Sequence, residues 1–337
     1  MNKSLSRRVF NGLNLVLNRV LAWSIDSLQP AINGFGDWRP IFILGAPRCG
    51  STLVYQTITS SLKIGFPSNR HNRFYGAPGF AERCLLKPCE QEPSRYQSNF
   101  GRTNEPWEPS EFTNWWYRFF RRSPPHCGFE DVNPRKMRAF RRSLLHMTAA
   151  FEKPVLFKNL YTSVRLEPVV ETIPEALFVV VRRDEIRNAH SLLEARKTSF
   201  GNYLQWFSLP PPEINSLLQR PPEQQVVLQI RAIYREIERS LVHSGHPRDR
   251  TMEVDYDEFC HNPALGICRF QQFVEKHGYC LEETGHKPPE QFSTSGGVRI
   301  DGDLFSRLQA FSRTSNEWQP DSTGSFQNGP EATFQKQ

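Results

Sequence analysis

Short apolar runs that recur between helical segments constrain the fold of this chain more than any other feature. Unbroken apolar runs occupy residues 41–44, 155–157 and 177–181, and a fourth strand is predicted over 251–254. Runs of this length are typical of strands that are buried on both faces of a parallel sheet. Because predicted strands and helices alternate, the fold class is α/β. We expect a three-layer sandwich with a central parallel sheet.

Helical periodicity separates these strands and continues after the last one. The predicted helices cover residues 51–62, 134–150, 167–172, 184–196, 223–240 and 263–277, and an aromatic-rich helix is predicted within 110–122. The segment 63–152 otherwise has little periodicity, and we interpret it as a divergent insertion made mainly of helix and loop. The predicted organisation is an N-terminal amphipathic helix and linker (1–39), one α/β domain (40–312) and a polar, disordered tail (313–337).

The N-terminal segment 4–28 has the pattern of an amphipathic helix. Its apolar residues at three- and four-residue spacing are Leu13, Val16, Leu17, Val20 and Leu21. Two interpretations fit this pattern: a helix that docks on the domain, and a helix that lies at a membrane surface. The preceding Arg7-Arg8 pair is similar to a twin-arginine export signal. Asparagines interrupt the apolar segment and no small-residue cleavage site follows, so we expect no export.

Net charge and cysteine usage limit the classes of partner and the compartment. Lys and Arg number 42 against 35 Asp and Glu, a net charge of +7. A basic excess of this size favours an anionic ligand or surface, and it is modest for a nucleic-acid partner. The seven cysteines show no metal-ligand spacing, so we expect reduced thiols, no metal site and a cytoplasmic location. Since no apolar stretch reaches about 20 residues, no membrane span is predicted.

The segment between the first strand and the first helix of the domain has the pattern of a phosphate-binding loop. Gly45 and Gly50 are separated by four residues, and backbone N–H groups of such a turn bind anions together with the positive end of the following helix. The lysine that normally follows the second glycine and reaches the β- and γ-phosphates of ATP is replaced by Ser51. With Arg48 inside the loop, this replacement argues against an ordinary kinase or NTPase.

A second candidate site for an anion follows the third strand. Arg183 lies at the end of that strand, and Ser191 lies two turns into the next helix. Ligands of parallel α/β sheets bind at the carboxyl ends of strands, and an arginine can bind a phosphate through two hydrogen bonds. We therefore expect both side chains to bind one phosphate.

These two segments together resemble the sulfotransferase family. Residues 47–52 resemble its 5′-phosphosulfate loop, with Cys49 in place of Ser or Thr, and Arg183 with Ser191 resembles its 3′-phosphate motif, with Glu185 in place of Pro. The resemblance implies a P-loop-related fold and the donor 3′-phosphoadenosine 5′-phosphosulfate (PAPS), with PAP as product and no metal. It assigns donor binding to Pro47, Arg48, Cys49, Gly50, Ser51, Thr52, Arg183, Ser191 and, in a loop at 295–299, Arg299.

The reaction that the resemblance implies needs a cation at the bridging oxygen and a general base. The candidates for the cation are Arg48 and Lys158, of which the resemblance favours Lys158 at the end of the second strand. For the base we rank Glu111 first, His71 second and Glu108 third, because a carboxylate beside aromatic rings has a raised pKa. Ion pairs with arginines at 118–122 are the alternative role for these acids.

The acceptor and two other functions stay open at this level. The aromatic residues within 112–120 belong either to the core or to an acceptor pocket, and acceptor specificity is expected in the 63–152 insertion. The acceptor is a small molecule, a glycan or a lipid. The alternative functions are an ATP-dependent P-loop phosphotransferase and a non-catalytic nucleotide-binding protein at the membrane, to which residues 4–28 would bind peripherally.

Overall fold

The protein is described by a computed structural model over residues 12–23, 34–36, 38–86, 92–293 and 297–318. Within these residues the strands β1 (Pro40–Gly45), β2 (Val155–Lys158), β3 (Leu177–Arg182) and β4 (Thr251–Asp255) form one sheet. Its order is β2-β1-β3-β4, and every pair is parallel. The predicted α/β class is confirmed, and each predicted strand is extended by one residue at its carboxyl end or at both ends.

Helices connect the strands and flank the sheet. They are α1 (residues 12–23), α2 (Ser51–Ser61), α3 (Pro78–Phe80), α4 (Thr113–Trp116), α5 (Pro134–Phe151), α6 (Leu166–Thr172), α7 (Glu185–Phe200), α8 (Ile214–Leu217), α9 (Pro222–His243), α10 (Tyr256–His261), α11 (Pro263–Glu275) and α12 (Gly302–Thr314). The predictions for α2, α5, α6, α7, α9 and α11 are confirmed within a few residues. The aromatic-rich helix predicted within 110–122 is present as a single turn, α4.

Alternate residues of the strands enter two separate apolar cores, which defines the three layers. Phe42 and Leu44 of β1 pack in the core that α5, α6, α7 and α9 close. Ile41 and Ile43 pack in the opposite core with α2 and α11. Side chains of a strand point alternately to the two faces, so an unbroken apolar run is what a sheet covered on both sides requires.

The aromatic residues within 112–120 belong to the core. Five of them are buried: Phe112, Trp115, Trp116, Phe119 and Phe120. The ring of Trp115 stacks between Phe112 and Phe157 of β2, with centroid distances of 5.6 and 5.7 Å. Its indole N–H donates to Ser143 Oγ of α5. The insertion is thereby fastened to the end of the sheet that carries Lys158.

Helix α1 docks on the domain, but through a different face from the predicted one. Asn18 is 1% exposed, and Leu21 lies beside it at the contact. Four of the five predicted apolar contacts are instead exposed: Leu13, Val16, Leu17 and Val20. The docking contact is polar because Asn18 bonds to the backbone of the insertion. The remainder of the predicted helix, 4–11 and 24–28, lies outside the described residues.

Residues 313–318 of the predicted tail belong to the described part of the chain. Helix α12 continues to Thr314, and Arg231 of α9 donates hydrogen bonds to the carbonyls of Ser315 and Glu317. Residues 319–337 of the predicted tail lie outside the described residues. No helix in the described ranges is both long enough and apolar enough to cross a membrane.

We predict that Trp115→Ala lowers the free energy of unfolding by about 3–5 kcal/mol, since it empties a fully buried aromatic site. Trp23→Ala is the control, because Trp23 is 79% exposed and should change stability by no more than about 0.5 kcal/mol. Urea denaturation followed by circular dichroism measures both values. Equal losses would contradict the role of Trp115 as the link between the insertion and the sheet.

Candidate active site

The loop between β1 and α2 contains two residues with a positive φ angle, of which one is a glycine. Gly50 has a φ of +93° and Arg48 a φ of +65°, in the left-handed region that most residues avoid. Gly45, the last residue of β1, is held by Ser163, whose hydroxyl accepts from Gly45 N and donates to Gly45 O. Sequence reasoning missed Ser163, which lies in a short 3-10 helix after β2 with no motif of its own.

A tyrosine closes the underside of this loop and explains the second glycine. A Cβ atom on Gly50 would lie 2.1 Å from ring carbons of Tyr256, at the start of α10. The guanidinium carbon of Arg183 lies 5.0 Å from the centre of the same ring. Burial raises the pKa of Tyr256, so the phenol stays neutral. Tyr256 therefore packs against both predicted anion-binding segments, as a residue directly after β4 can do in a parallel sheet.

The two predicted segments meet through Arg48. Arg183 donates from Nη1 to the carbonyl of Arg48 at 3.2 Å, and Arg48 donates from Nε to Ser191 Oγ at 3.1 Å. The Nε atom of Arg183 is buried and has no hydrogen-bond partner. Burial, and then the nearby charge of Arg183, lower the pKa of Arg48, while Glu194 opposes that shift. Two guanidinium groups brought this close favour an anion between them.

Lys158 connects the other side of the loop to the insertion. It ends β2, its side chain is 1% exposed, and its ammonium donates to Thr52 Oγ1 of α2 at 2.9 Å. The same ammonium forms an ion pair with Glu111. Asn159 donates to the carbonyl of Glu111 and holds that residue in place. The structure thus brings together the predicted cation and the first-ranked base.

The second- and third-ranked candidate bases, His71 and Glu108, form hydrogen bonds with residues other than Lys158. The carboxylate of Glu108 is buried and accepts hydrogen bonds from Gln56, Ser94 and the backbone of Arg95. His71 is 3% exposed, and its ring lies between Ser68 and Glu82. Neither contacts Lys158 in the described structure, so of the three candidates only Glu111 adjoins the predicted cation.

Residues 92–104, which we call the strap, pass over the loop and α2. A Cβ atom on Gly101 would lie 3.4 Å from Lys158 Nζ and 3.5 Å from Glu111 Oε1. The preceding ring of Phe100 lies 5.3 Å from the guanidinium carbon of Arg48. The strap therefore covers Lys158 and Arg48 together. Sequence reasoning missed it, because nothing in a polar loop of low periodicity marks its destination.

The remaining predicted donor-binding residues lie in and beside the loop. Pro47 and Cys49 are buried, and burial raises the pKa of the Cys49 thiol, so Cys49 is a packing residue here. Arg299 donates to Glu194 of α7 from its side chain and to His190 from its backbone, which places it on the helix that carries Ser191. Residues 295–296 of the predicted loop lie outside the described residues.

The carboxylates near the end of β3 are engaged in protein contacts. Arg182, the last strand residue, pairs with Glu238 and Glu253. Asp184 caps α7 by accepting from Arg187 N. In the ranges that the structure describes, no group of three or more His, Cys, Asp or Glu is arranged to hold a metal ion.

A parallel sheet with a glycine-bounded loop after an inner strand, and two arginines and a lysine around that loop, is an arrangement typical of proteins that bind phosphate or sulfate esters. Residues 40–275, more than half of the chain, match the model described as the sulfotransferase family. The protein belongs to the sulfotransferase family. A search of the curated proteins found no significant match.

Solved structures of bacterial sulfotransferases are similar to this chain. Sulfotransferase STF9 from Mycobacterium avium is 13% identical over 88% of this chain and 72% of that one, with a TM-score of 0.49. STF1 from Mycobacterium tuberculosis H37Rv is 14% identical over 80% and 76%, with a TM-score of 0.45. A sulfotransferase from Alicyclobacillus acidocaldarius is 17% identical over 82% and 92%, with a TM-score of 0.42. The family assignment rests on the match over residues 40–275.

We predict that Gly50→Ala destabilises the protein more than Gly278→Ala does. Both glycines have nearly the same positive φ, +93° and +91°, but a Cβ meets Tyr256 at position 50 and open space at position 278. Gly278→Ala should cost about 1 kcal/mol in free energy of unfolding, and Gly50→Ala at least about twice that. In a Tyr256→Ala background, Gly50→Ala should cost less than it does in the unmodified protein. Equal losses for the two single variants would rule out the tyrosine contact as the cause.

Proposed function

We propose that this sulfotransferase transfers the sulfuryl group of PAPS to an acceptor hydroxyl or amine by in-line displacement. The observation that carries the proposal is the contact chain Arg183–Arg48–Ser191, which joins the β1–α2 loop to the residue after β3 and to the interior of α7. PAPS carries phosphates at the 3′ and 5′ positions of its ribose, so it would need two neighbouring anion sites. The proposed donor-binding residues are Pro47, Arg48, Cys49, Gly50, Ser51, Thr52, Arg183, Ser191 and Arg299.

The residues around the loop fit a doubly anionic donor. Helix α2 has no side-chain cap and no acidic residue in its first turn, so no side chain there opposes the binding of an anion at its positive end. The buried, unpartnered Nε of Arg183 is a donor that an anionic ligand would satisfy. Tyr256 packs so closely against the loop that no side chain fits at position 50. When bound, PAPS supplies the activated sulfuryl group, and PAP leaves.

Lys158 is the proposed electrostatic catalyst. Its ammonium already contacts Thr52 at the first turn of α2, where the loop would hold the 5′ end of the donor. Negative charge grows on the bridging oxygen as the bond from sulfur to that oxygen breaks, and a buried cation stabilises it. Arg48 is directed towards Ser191 instead, which supports a role with the 3′-phosphate.

Glu111 is the proposed general base. Its side chain is 25% exposed while Lys158 is 1% exposed, so an acceptor reaches the pair from the side of Glu111. In the proposed step the acceptor oxygen or nitrogen bonds to sulfur, its proton passes to Glu111, and the electron pair of the broken bond stays on PAP. The ion pair keeps the base and the cation on the same reacting centre.

The compartment and the acceptor are proposed from two other observations. We propose a cytoplasmic location, which the free cysteines of the described residues support. The acceptor is proposed to be a small molecule, including glycan or lipid alcohols, because the reacting pair lies beneath the strap and not on an open surface.

We predict that Arg183→Ala weakens PAP binding by about 30-fold or more, because it removes a desolvated, charge-assisted contact. Arg187→Ala is the matched control, since this arginine lies four residues later in α7, is 54% exposed and pairs with Asp257. Titration calorimetry with PAP measures both, and thermal unfolding checks that the variants are folded. Tight, Mg²⁺-dependent binding of ATP without binding of PAP would overturn the donor and favour a phosphotransferase.

We predict that Lys158→Met and Glu111→Gln each lower kcat by about 100-fold or more while KM for PAPS changes far less. A second lysine–glutamate pair, Lys63 with Glu282, is exposed at 48% and 73%, and Lys63→Met and Glu282→Gln are the control variants. Release of PAP from PAPS in the presence of alcohol, phenol and amine acceptors gives the rates. A change confined to KM would reduce Lys158 to a binding residue.

A further inference from the structure

The outward side of α1 carries a continuous apolar stripe. At about 100° per residue, five apolar side chains fall within an arc of about 120°. They are Leu13, Val16, Leu17, Val20 and Trp23, with exposed fractions of 67, 59, 44, 54 and 79%. Single exposed apolar residues are ordinary on protein surfaces, but an aligned stripe of this kind marks an interaction site.

The way α1 is docked holds this stripe away from the domain. Asn18 donates to the carbonyl of Arg73 at 2.9 Å and accepts from Gly76 N at 2.7 Å. A Cβ atom on Gly76 would lie 2.2 Å from the carbonyl oxygen of Asn18, so the two backbones are in close contact. Rolling the helix to bury the stripe would break both hydrogen bonds of a buried amide, at a cost that keeps the stripe outward.

Positive charge borders the stripe. Arg19 lies beside it on the helix, and Arg73, whose carbonyl accepts from Asn18, is exposed next to α1. Burial raises the pKa of Tyr75 beneath α1, and the charges of Arg19, Arg118 and Arg122 oppose that shift. In the sequence, residues 1–25 contain Lys3, Arg7, Arg8 and Arg19 and no acidic residue. An apolar stripe with cationic borders is complementary to an anionic lipid surface.

We propose that α1 binds the protein to the interface of a membrane that carries anionic phospholipids. The stripe enters the boundary between headgroups and acyl chains, and the arginines contact lipid phosphates. Trp23 lies at the end of the stripe, as tryptophans do at membrane interfaces. A second copy of the chain fits the surface less well, because pairing two stripes would bring the arginines of both copies together.

Vesicle cosedimentation of the full chain tests this proposal with two matched double variants. Leu13→Ser/Val16→Ser alters the stripe. Leu204→Ser/Val242→Ser alters residues of similar exposure elsewhere, 71 and 64% against 67 and 59%. On vesicles of phosphatidylcholine with phosphatidylserine, the stripe variant should lose about tenfold or more in partition coefficient, and the control should bind as the unmodified protein does. Binding should fall on pure phosphatidylcholine and at high salt.

Two outcomes would overturn the proposal. The first is binding to anionic vesicles that is equal for the unmodified protein and the stripe variant. The second is a concentration-dependent dimer in light scattering that the stripe variant loses, together with no binding to vesicles by the unmodified protein. Because PAP affinity should be unchanged in both double variants, a failure here is distinguishable from a failure of the proposed donor.

Discussion

The candidate site depends on the central position of β1 in the sheet. Ile43 pairs with Lys158 of β2 on one side, and Gly45 pairs with Val181 of β3 on the other. Parallel neighbours lie about 4.8 Å apart, so the ends of three strands come within about 10 Å. The loop after Gly45 is therefore flanked by a lysine and an arginine without any long-range adjustment. Chain order changes direction between β1 and β3, which is where ligands of such sheets bind.

The insertion supplies Glu111 to the candidate site, and it can do so because its aromatic residues are part of the main core. Phe112 has a φ of +51°, an unusual value for a bulky residue, and its ring is stacked on the buried Trp115. Burial of this pair holds the turn that carries Glu111 beside Lys158. Glu108, three residues earlier, uses its carboxylate to anchor the strap. Residues 108–112 of the insertion thus position the proposed base through aromatic packing and the strap through hydrogen bonds.

Most elements defined by local patterns were predicted correctly, and those defined by distant contacts were not. The strands follow from apolar runs, and α2 and α9 follow from periodicity and from the loop or prolines before them. Helix α12 was missed although Asp301 caps it and Leu304 and Leu308 lie on its buried face, a signal that the sequence carries. The face on which α1 docks could not be predicted, because it depends on backbone groups more than fifty residues away.

By itself the sequence determined the sheet, the phosphate-loop pattern and the residues that form the contact Arg183–Arg48–Ser191, because each is encoded within a few neighbouring residues. Only the tertiary structure decided which of Glu111, His71 and Glu108 lies beside Lys158 and which side of α1 faces outward. These outcomes are set by competition among buried hydrogen bonds and aromatic packing across the chain. Residue type alone does not predict the hydrogen-bond partner of a carboxylate or an amide.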